Sequence, residues 1–294
     1  MPKIDIVIES FLLDGRARRL RPRTTKWYSE MLERFSKRFP DQDIGTITPT
    51  MIRRWVVELA DLGLSGATQH AYARSLRALM NFATSEEHIT TNPMLKVKMP
   101  KQDKAILPAF TNEEISIISD ACKTVRDKTL FYFMLDTGLR VSETANLQAE
   151  DLQMNLREVF VRKGKGNKDR VTYFGESTKK QLARYFVDIG TSVPESGPVW
   201  LSQHSDQHPL TSVGIQVLFR RLRLSTGVEK CSAHTCRRTF AILNLRAGVN
   251  IFELARMMGH SDIKVLQRYL DVLDDDTKTA HRRAGAVDSV LGKL

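Results

Sequence analysis

The sequence predicts a mainly α-helical protein built from two unequal domains. Its 294 residues are more than one small core usually organises. Apolar residues recur with helical spacing along most of the chain, and one short segment alternates like a β-hairpin. The composition, 41% hydrophobic and 27% charged, is that of an ordinary globular protein and excludes disordered, collagen-like and coiled-coil classes.

The first domain, residues 1–98, reads as a small helical bundle. Two segments carry apolar residues on a single helical face, and these are Ile52, Trp55, Val56 and Leu59, then Leu76, Leu79, Met80 and Ala83. Gly63 is predicted to end the first of these helices. An earlier helix around residues 27–35 is predicted to begin with Thr24 and Thr25 as caps. Three basic residues outside these faces are candidates for contact with phosphate: Lys26, Arg74 and Arg77.

A linker separates the two domains. From residue 92 to residue 108 the chain is rich in proline and lysine and has little periodicity, the composition of an exposed connection. We place the linker itself at residues 99–108 and the second domain at residues 109–294.

The second domain is predicted to be mostly helical with a small antiparallel sheet. Thr111 and Glu114 have the spacing of a capping box, and Gly138 suits a left-handed helix end. Residues 159–162 and 170–174 alternate as two strands joined by a loop of glycine and lysine. Further helices are expected over residues 178–187, 212–224, 234–247 and 252–258.

The charge of the chain favours a polyanionic partner. Lys and Arg total 45 against 34 Asp and Glu, which gives a net charge of +11, and nucleic acid is the obvious candidate. The three cysteines lack the spacing of a disulfide framework or a zinc site, and no segment reads as a signal peptide or a membrane span. We therefore expect a soluble, cytoplasmic protein without a membrane partner.

The residues that suit catalysis lie in the second domain at the boundaries of predicted elements. They are Arg140, Lys165, His234, Arg237, His260 and Tyr269. These types suit phosphodiester exchange, because guanidinium groups stabilise the charge that builds on phosphoryl oxygens. In such a reaction His234 would accept the proton of the nucleophile, Lys165 would protonate the leaving oxygen, and His260 would donate to a phosphoryl oxygen. Phosphate-binding glycine loops and metal-binding motifs are absent from the sequence, so we expect no cofactor and no metal.

Each candidate has a structural alternative when it is taken alone. Arg140 could bond the carbonyls that precede it, His260 could cap a helix near Asp262, and Tyr269 could be a core residue. Lys163 and Lys168 compete with Lys165 for the role of general acid. Arg238 competes with its neighbour Arg237.

The motifs taken together resemble one family. The strings TGLRVSE and KGKGNKDR, an H-x-x-R pair, GHSD and a tyrosine nine residues after that histidine resemble the tyrosine recombinases, most closely the compact Xer-like members. The resemblance covers nearly the whole chain and implies a C-shaped DNA clamp made of a helical SAM-like core-binding domain and a catalytic domain. It makes Tyr269 the nucleophile, with Glu143 as a supporting residue. The family commonly reads H-x-L-R-H where this chain has Cys236 and Arg238 at the third and fifth places.

The function that the resemblance implies is site-specific DNA recombination through a 3′-phosphotyrosyl intermediate and a four-way junction, with integration, excision or resolution as the outcome. It implies a tetramer acting on two double-stranded DNA sites without metal or ATP, and it leaves accessory proteins open. The C-terminal tail would dock on a neighbouring protomer or, alternatively, fray. Basic residues near the site would add DNA contacts: Lys163, Lys168 and Arg238. The alternatives are a type IB topoisomerase and a catalytically idle DNA-binding accessory protein.

Overall fold

The structure is a computed structural model that describes residues 1–102, 108–162, 169–190, 194–202 and 208–259, together with Leu266 and Tyr269. The chain divides into two compact units, Met1–Ala105 and Ile106–Leu294. Within the described ranges, none of the helices combines the length and apolar composition that a bilayer crossing requires.

Helices build the first unit. They are α1 (Ile4–Ala17), α2 (Pro22–Arg38), α3 (Pro49–Asp61) and α4 (Gly66–Ser85), with short 3₁₀ turns at Ile44–Thr46 and Pro93–Lys96. Phe35, Trp55 and Leu76 are fully or almost fully buried where these helices meet. Apolar faces at the predicted helical spacing therefore close into one core.

Helix α2 begins earlier than the sequence predicts. Arg21 is its N-cap and Pro22 its first residue, so Thr25 is inside the helix and buried. Proline suits a first helical position because its fixed φ is already helical and its missing N–H has no intrahelical role there. The prediction that Thr24 and Thr25 cap this helix was wrong for that reason.

The segment after α4 belongs to the core of the first unit before it becomes a connection. Met94 is fully buried and Val97 is 5% exposed, and the Asn92 side chain accepts a hydrogen bond from the Met94 N–H at 2.8 Å. The segment with the composition of a linker therefore begins inside the packed first unit. Its apolar residues Met94 and Val97 point into the core, and composition alone does not show which side chains do so.

The second unit is mostly helical with a small sheet, as the sequence predicts. Its helices are α5 (Asn112–Ala121), α6 (Val125–Thr137), α7 (Val141–Ala145), α8 (Glu176–Asp188), α9 (Ser212–Thr226), α10 (Ala233–Arg246) and α11 (Ile251–Met258). Its strands are β1 (Leu152–Gln153), β2 (Glu158–Val161) and β3 (Arg170–Tyr173), paired antiparallel in the order β1-β2-β3. Val161 pairs with Arg170. That register sets Arg170 at the base of the loop between β2 and β3.

Two apolar clusters support this unit. The larger one surrounds α6, with Phe133 against the ring of Trp200 and Tyr185 stacked on the same ring. A smaller cluster joins α10 and α11 through Phe240, Leu254 and other residues. The end of α6 at Gly138 lies directly against Phe240, so the two clusters meet where α6 ends.

Gly138 is expected to be far less tolerant of a side chain than a second helix-ending glycine. Both Gly138 and Gly227 have a positive φ, of 61° and 71°, but an added Cβ would overlap the Phe240 ring at Gly138 and would meet no heavy atom within 4 Å at Gly227. Gly227→Ala should cost about 1 kcal/mol of unfolding free energy and Gly138→Ala about 2–4 kcal/mol.

Urea unfolding followed by Trp200 fluorescence, in a background where Trp27 and Trp55 are replaced by phenylalanine, measures both values for the second unit. If both variants lose the same unfolding free energy, the close contact between position 138 and Phe240 does not contribute to the loss in Gly138→Ala.

Candidate active site

Arg140 stands at the junction of α6 and α7 and is held by the glutamate one turn later. Its backbone N–H donates to Glu143 Oε2 at 2.9 Å and its Nη1 donates to Oε1 at 2.7 Å. Its Nη2 donates to the Gly259 carbonyl oxygen at 3.3 Å. The Arg140 side chain is still 25% exposed. The guanidinium is therefore held in place and still accessible to a ligand from solvent. The alternative that Arg140 bonds the carbonyls preceding it is wrong for the bonds described here, because Glu143 and Gly259 both follow it in the chain.

Arg237 projects from α10 and is buried. Its Nη1 donates to the Gly138 carbonyl oxygen, and its Nη2 donates to the Met258 carbonyl oxygen at 2.6 Å. Burial, followed by the positive charge of Arg140, lowers the pKa of Arg237 to about 9, while Glu143 opposes the shift. The guanidinium stays cationic at neutral pH because this value is still above neutrality.

The carboxyl end of α11 brings the arginines together. The carbonyl oxygens of Met257, Met258 and Gly259 accept hydrogen bonds from Arg170, Arg237 and Arg140, respectively. The last carbonyls of a helix have no intrahelical partner and carry its negative dipole end, which favours cations. Gly259 ends the helix with a left-handed φ of 64°. We call Arg140, Arg170 and Arg237 the arginine cluster.

Glu143 supplies a full negative charge to this cluster. It bonds Arg140 as described and accepts from Arg170 Nη1 at 3.1 Å and Nη2 at 2.6 Å. Burial alone would raise the pKa of Glu143, but hydrogen bonds from Arg170 and Arg140 and the positive charge of Arg170 outweigh it and lower the pKa to about 2. Three guanidiniums with one carboxylate leave the cluster cationic, which suits an anion.

Arg170 is the member of the cluster that sequence reasoning missed. Its position at the end of the KGKGNKDR string and at the start of a predicted strand gave it no role, because a charged residue there usually faces solvent. Its side chain is 8% exposed. The string alone indicates no role for Arg170, because its partner Glu143 and the α11 carbonyls come from distant parts of the chain.

His234 and Arg237 lie on one side of α10, three residues apart. His234 is exposed. Partial desolvation, followed by the positive charges of Arg238, Arg237 and Arg140, lowers the pKa of His234. Because its pKa is lowered, the imidazole is neutral at neutral pH and can accept a proton.

Tyr269 lies in the small apolar cluster with Phe240, Leu254 and Met258 and is 4% exposed. The ring is thus packed like a core residue. Met258 of the same cluster accepts a hydrogen bond from Arg237 through its carbonyl oxygen, so Tyr269 and Arg237 pack against the same helix end. A positively charged site for an anion, a neutral imidazole and a phenol are together the groups that phosphoryl transfer requires.

Some of the predicted residues are not described. Lys163, Lys165, Lys168 and His260 lie outside the described residues. Arg238 is described, and its buried Nε finds no hydrogen-bond partner within the described ranges.

The basic candidates of the first unit lie on α2 and α4. The Arg74 guanidinium stacks over the ring of Trp27, with 4.9 Å between its central carbon and the ring centroid. Lys26 is the neighbour of Trp27 and lies 3.9 Å from Glu30, and Arg77 donates to the Val97 carbonyl at 3.3 Å. These contacts hold Arg74 and Arg77 in defined positions on the unit.

The described residues contain no group of three or more histidine, cysteine or acidic side chains arranged to hold a metal ion. Burial raises the pKa of all three thiols, to about 12 for Cys122, to about 11 for Cys231 and well above its usual range for Cys236. Thiols that stay protonated are poor nucleophiles, so Cys231 and Cys236 act here as buried apolar groups and Cys122 as a half-buried one.

Comparison with known proteins agrees with the resemblance found in the motifs. Residues 108–276 match the Phage integrase family, and residues 8–90 match the Phage integrase, N-terminal SAM-like domain. The chain is 28% identical over 301 residues to tyrosine recombinase XerD of Oceanobacillus iheyensis, covering 96% of this chain and 100% of that protein. It is 30% identical over 251 residues to tyrosine recombinase XerC of Leptospira interrogans, covering 82% and 80%.

A solved structure has the same fold. The Tn1549 transposon integrase in complex with transposon right end DNA superposes with a TM-score of 0.75 at 21% identity, covering 90% of this chain and 94% of that one. The predicted helical SAM-like domain and mostly helical second domain are thereby confirmed. From these matches and the motifs that agree with them, the chain belongs to the phage integrase family, the tyrosine recombinases.

Proposed function

We propose that this tyrosine recombinase is a site-specific DNA recombinase whose nucleophile is Tyr269. The observation that carries the proposal is the convergence of Arg140 and Arg237 on one helix end, with Tyr269 in the apolar cluster that contains Met258 of that helix end. The Tyr269 oxygen forms a bond to the phosphorus atom, and the bond from phosphorus to the 5′-oxygen breaks. The products are a 3′-phosphotyrosyl link and a free 5′-hydroxyl.

Arg140 and Arg237 bind the non-bridging oxygens of the scissile phosphate. Both are held in place before DNA arrives, so little reorganisation is needed when negative charge builds in the transition state. The bonds that Arg140 makes to Glu143 and Gly259 leave N–H donors of its guanidinium for phosphate.

Proton transfer is divided among three groups. His234 accepts the proton of the Tyr269 hydroxyl, which its lowered pKa allows at neutral pH. Lys165 protonates the leaving 5′-oxygen, and His260 donates to a phosphoryl oxygen. Because the covalent link conserves the energy of the phosphodiester, the reaction proceeds without metal or ATP.

The two parts of the chain divide the work on DNA. Residues 1–98 bind the double-stranded recombination site, residues 99–108 link, and residues 109–294 catalyse. Lys26, Arg74 and Arg77 contact the backbone in the first part, and Lys163, Lys168 and Arg238 do so near the site. Four protomers on two sites exchange strands through a four-way junction, with the C-terminal tail docked on a neighbour. The net charge of +11 supports such an association with cytoplasmic DNA.

Tyr269→Phe should abolish covalent attachment to DNA, because the nucleophilic oxygen is gone. A nicked suicide substrate built from genomic fragments that flank the gene traps the intermediate, and a denaturing gel shows protein joined to DNA. Tyr173→Phe, at an exposed position of β3, is the control and should leave the product unchanged. Covalent product from Tyr269→Phe would overturn the assignment.

A second assay separates recombination from topoisomerase activity. A recombinase joins DNA from two sites, whereas a topoisomerase yields relaxed plasmid alone.

Arg140→Ala and Arg237→Ala should each lower the rate of covalent attachment by about 100- to 1,000-fold, the loss seen when a donor to a developing oxyanion is removed. DNA binding should be mostly retained, because many other backbone contacts remain. Gel shift measures binding and the suicide substrate measures the rate. Arg256→Ala, exposed on α11, is the control. Loss of binding in place of cleavage would assign the two arginines a structural role.

Binding to the recombination site should weaken steeply with salt, because Lys and Arg displace counterions from the DNA backbone. A plot of log affinity against log salt concentration has a negative slope, and replacing Arg74 by alanine should make this slope shallower by about 1. Lys3→Ala, which removes an ion pair with Asp41, is the control. An unchanged slope for Arg74→Ala would remove this residue from the DNA contact.

A further inference from the structure

Arg170 is buried where three separate parts of the second unit meet. It begins β3, Glu143 comes from α7, and Met257 is next to last in α11. Arg170 Nε donates to the Met257 carbonyl at 2.9 Å, while Nη1 and Nη2 grip both carboxylate oxygens of Glu143. Such a fork leaves the guanidinium a single orientation.

Gly259 lies against the Arg170 side chain. An added Cβ at Gly259 would be 2.9 Å from Arg170 Cδ and 3.0 Å from Nε and Nη1, so a larger residue would displace the guanidinium. The carbonyl of this same glycine accepts from Arg140. The end of α11 is therefore fitted to Arg170 by shape as well as by hydrogen bonding.

Both proposed phosphate-binding arginines depend on groups that Arg170 holds. Glu143 Oε1 accepts from Arg170 and from Arg140. The Met257 carbonyl, which Arg170 bonds, directly precedes the carbonyl that bonds Arg237. A shift of Glu143 or of the α11 end would thus move Arg140 and Arg237 together.

Charge alone does not account for Arg170. A third guanidinium disfavours the charged form of Arg237, since the charge of Arg170 is among those that lower the pKa of Arg237. The benefit that offsets this repulsion is geometric, because Arg170 orients the carboxylate and the helix end.

We propose that Arg170 is a positioning residue for phosphoryl transfer, which holds Glu143 and the carboxyl end of α11 so that Arg140 and Arg237 meet the same phosphate. This inference rests on the proposed function. Arg170 contacts no reacting atom in it. The residue also joins the strand that follows Lys165 in the chain to the helix that precedes His260.

Arg170→Met should lower the rate of covalent attachment at saturating suicide substrate by about 100-fold, the size of loss that a small misplacement causes. DNA affinity should change by less than about threefold, since no phosphate contact is removed. Arg162→Met is the matched control. Arg162 directly follows β2, the partner strand of β3, and its Nε donates to the buried Asp151 at 2.6 Å. This variant therefore also leaves a carboxylate without its arginine, but away from the cluster.

The pKa of Glu143 tests whether Arg170 holds this carboxylate in the folded protein. Carbon-13 NMR titration of labelled glutamate should place it at about 2 in the parent protein. Arg170→Met should raise it, because a hydrogen bond and a charge that favour the carboxylate are lost, and Arg162→Met should leave it unchanged.

A double variant tests whether the two residues act as one unit. Arg170→Met with Glu143→Gln removes one charge of each sign, so the net charge of the protein is unchanged and no carboxylate is left without Arg170. Arg140 loses its ion pair with Glu143 but can still donate to the amide oxygen that replaces the carboxylate. The attachment rate of the double variant should be within about threefold of the slower single variant. When two residues act as one unit, removing the second causes little further loss after the first is gone.

The outcomes are distinct. If the parent protein attaches to no DNA, the proposed function fails and the inference fails with it. If the parent attaches and Arg170→Met loses less than about tenfold, or the losses of the two single variants multiply in the double variant, the inference alone is wrong. An unchanged Glu143 pKa in Arg170→Met would also overturn it.

Discussion

The interaction on which the second unit depends is the attachment of three guanidiniums to the carboxyl end of one helix. Burying charged groups is costly unless hydrogen bonds and opposite charge accompany them. The last carbonyls of α11 supply the hydrogen bonds, and Glu143 supplies the charge. Each arginine comes from a different element, so the helix end also determines how those elements pack.

This arrangement trades stability for readiness to bind an anion. Arg237 is almost fully buried and its pKa is lowered, whereas Arg140 keeps a quarter of its side-chain surface exposed. A phosphate arriving at such a site finds donors already oriented and a local excess of positive charge. Repulsion between the arginines destabilises the folded unit. Burial of apolar side chains in the two clusters that meet at Gly138 and Phe240 offsets this repulsion, because it keeps α6, α10 and α11 packed together.

Features that depend on neighbouring residues were predictable. The capping box of Thr111 with Glu114, the left-handed end at Gly138 and the β2–β3 hairpin all formed as expected. The start of α2 was missed because a proline at the first helical position outweighed two threonines that looked like caps. Residues 92–97 were read as part of a linker because composition does not show which side chains point inward.

The sequence by itself determined the helical class, the small sheet, the family and the identity of most candidate site residues, because helical periodicity and motif spacing are local properties of the chain. Only the tertiary structure decided that Arg140 and Arg237 bond adjacent carbonyls, that Tyr269 packs in the apolar cluster of α10 and α11, and that Arg170 belongs to the arginine cluster. Those facts depend on contacts between segments as many as 119 positions apart. No local pattern encodes such a meeting, since packing of the whole unit brings those segments together.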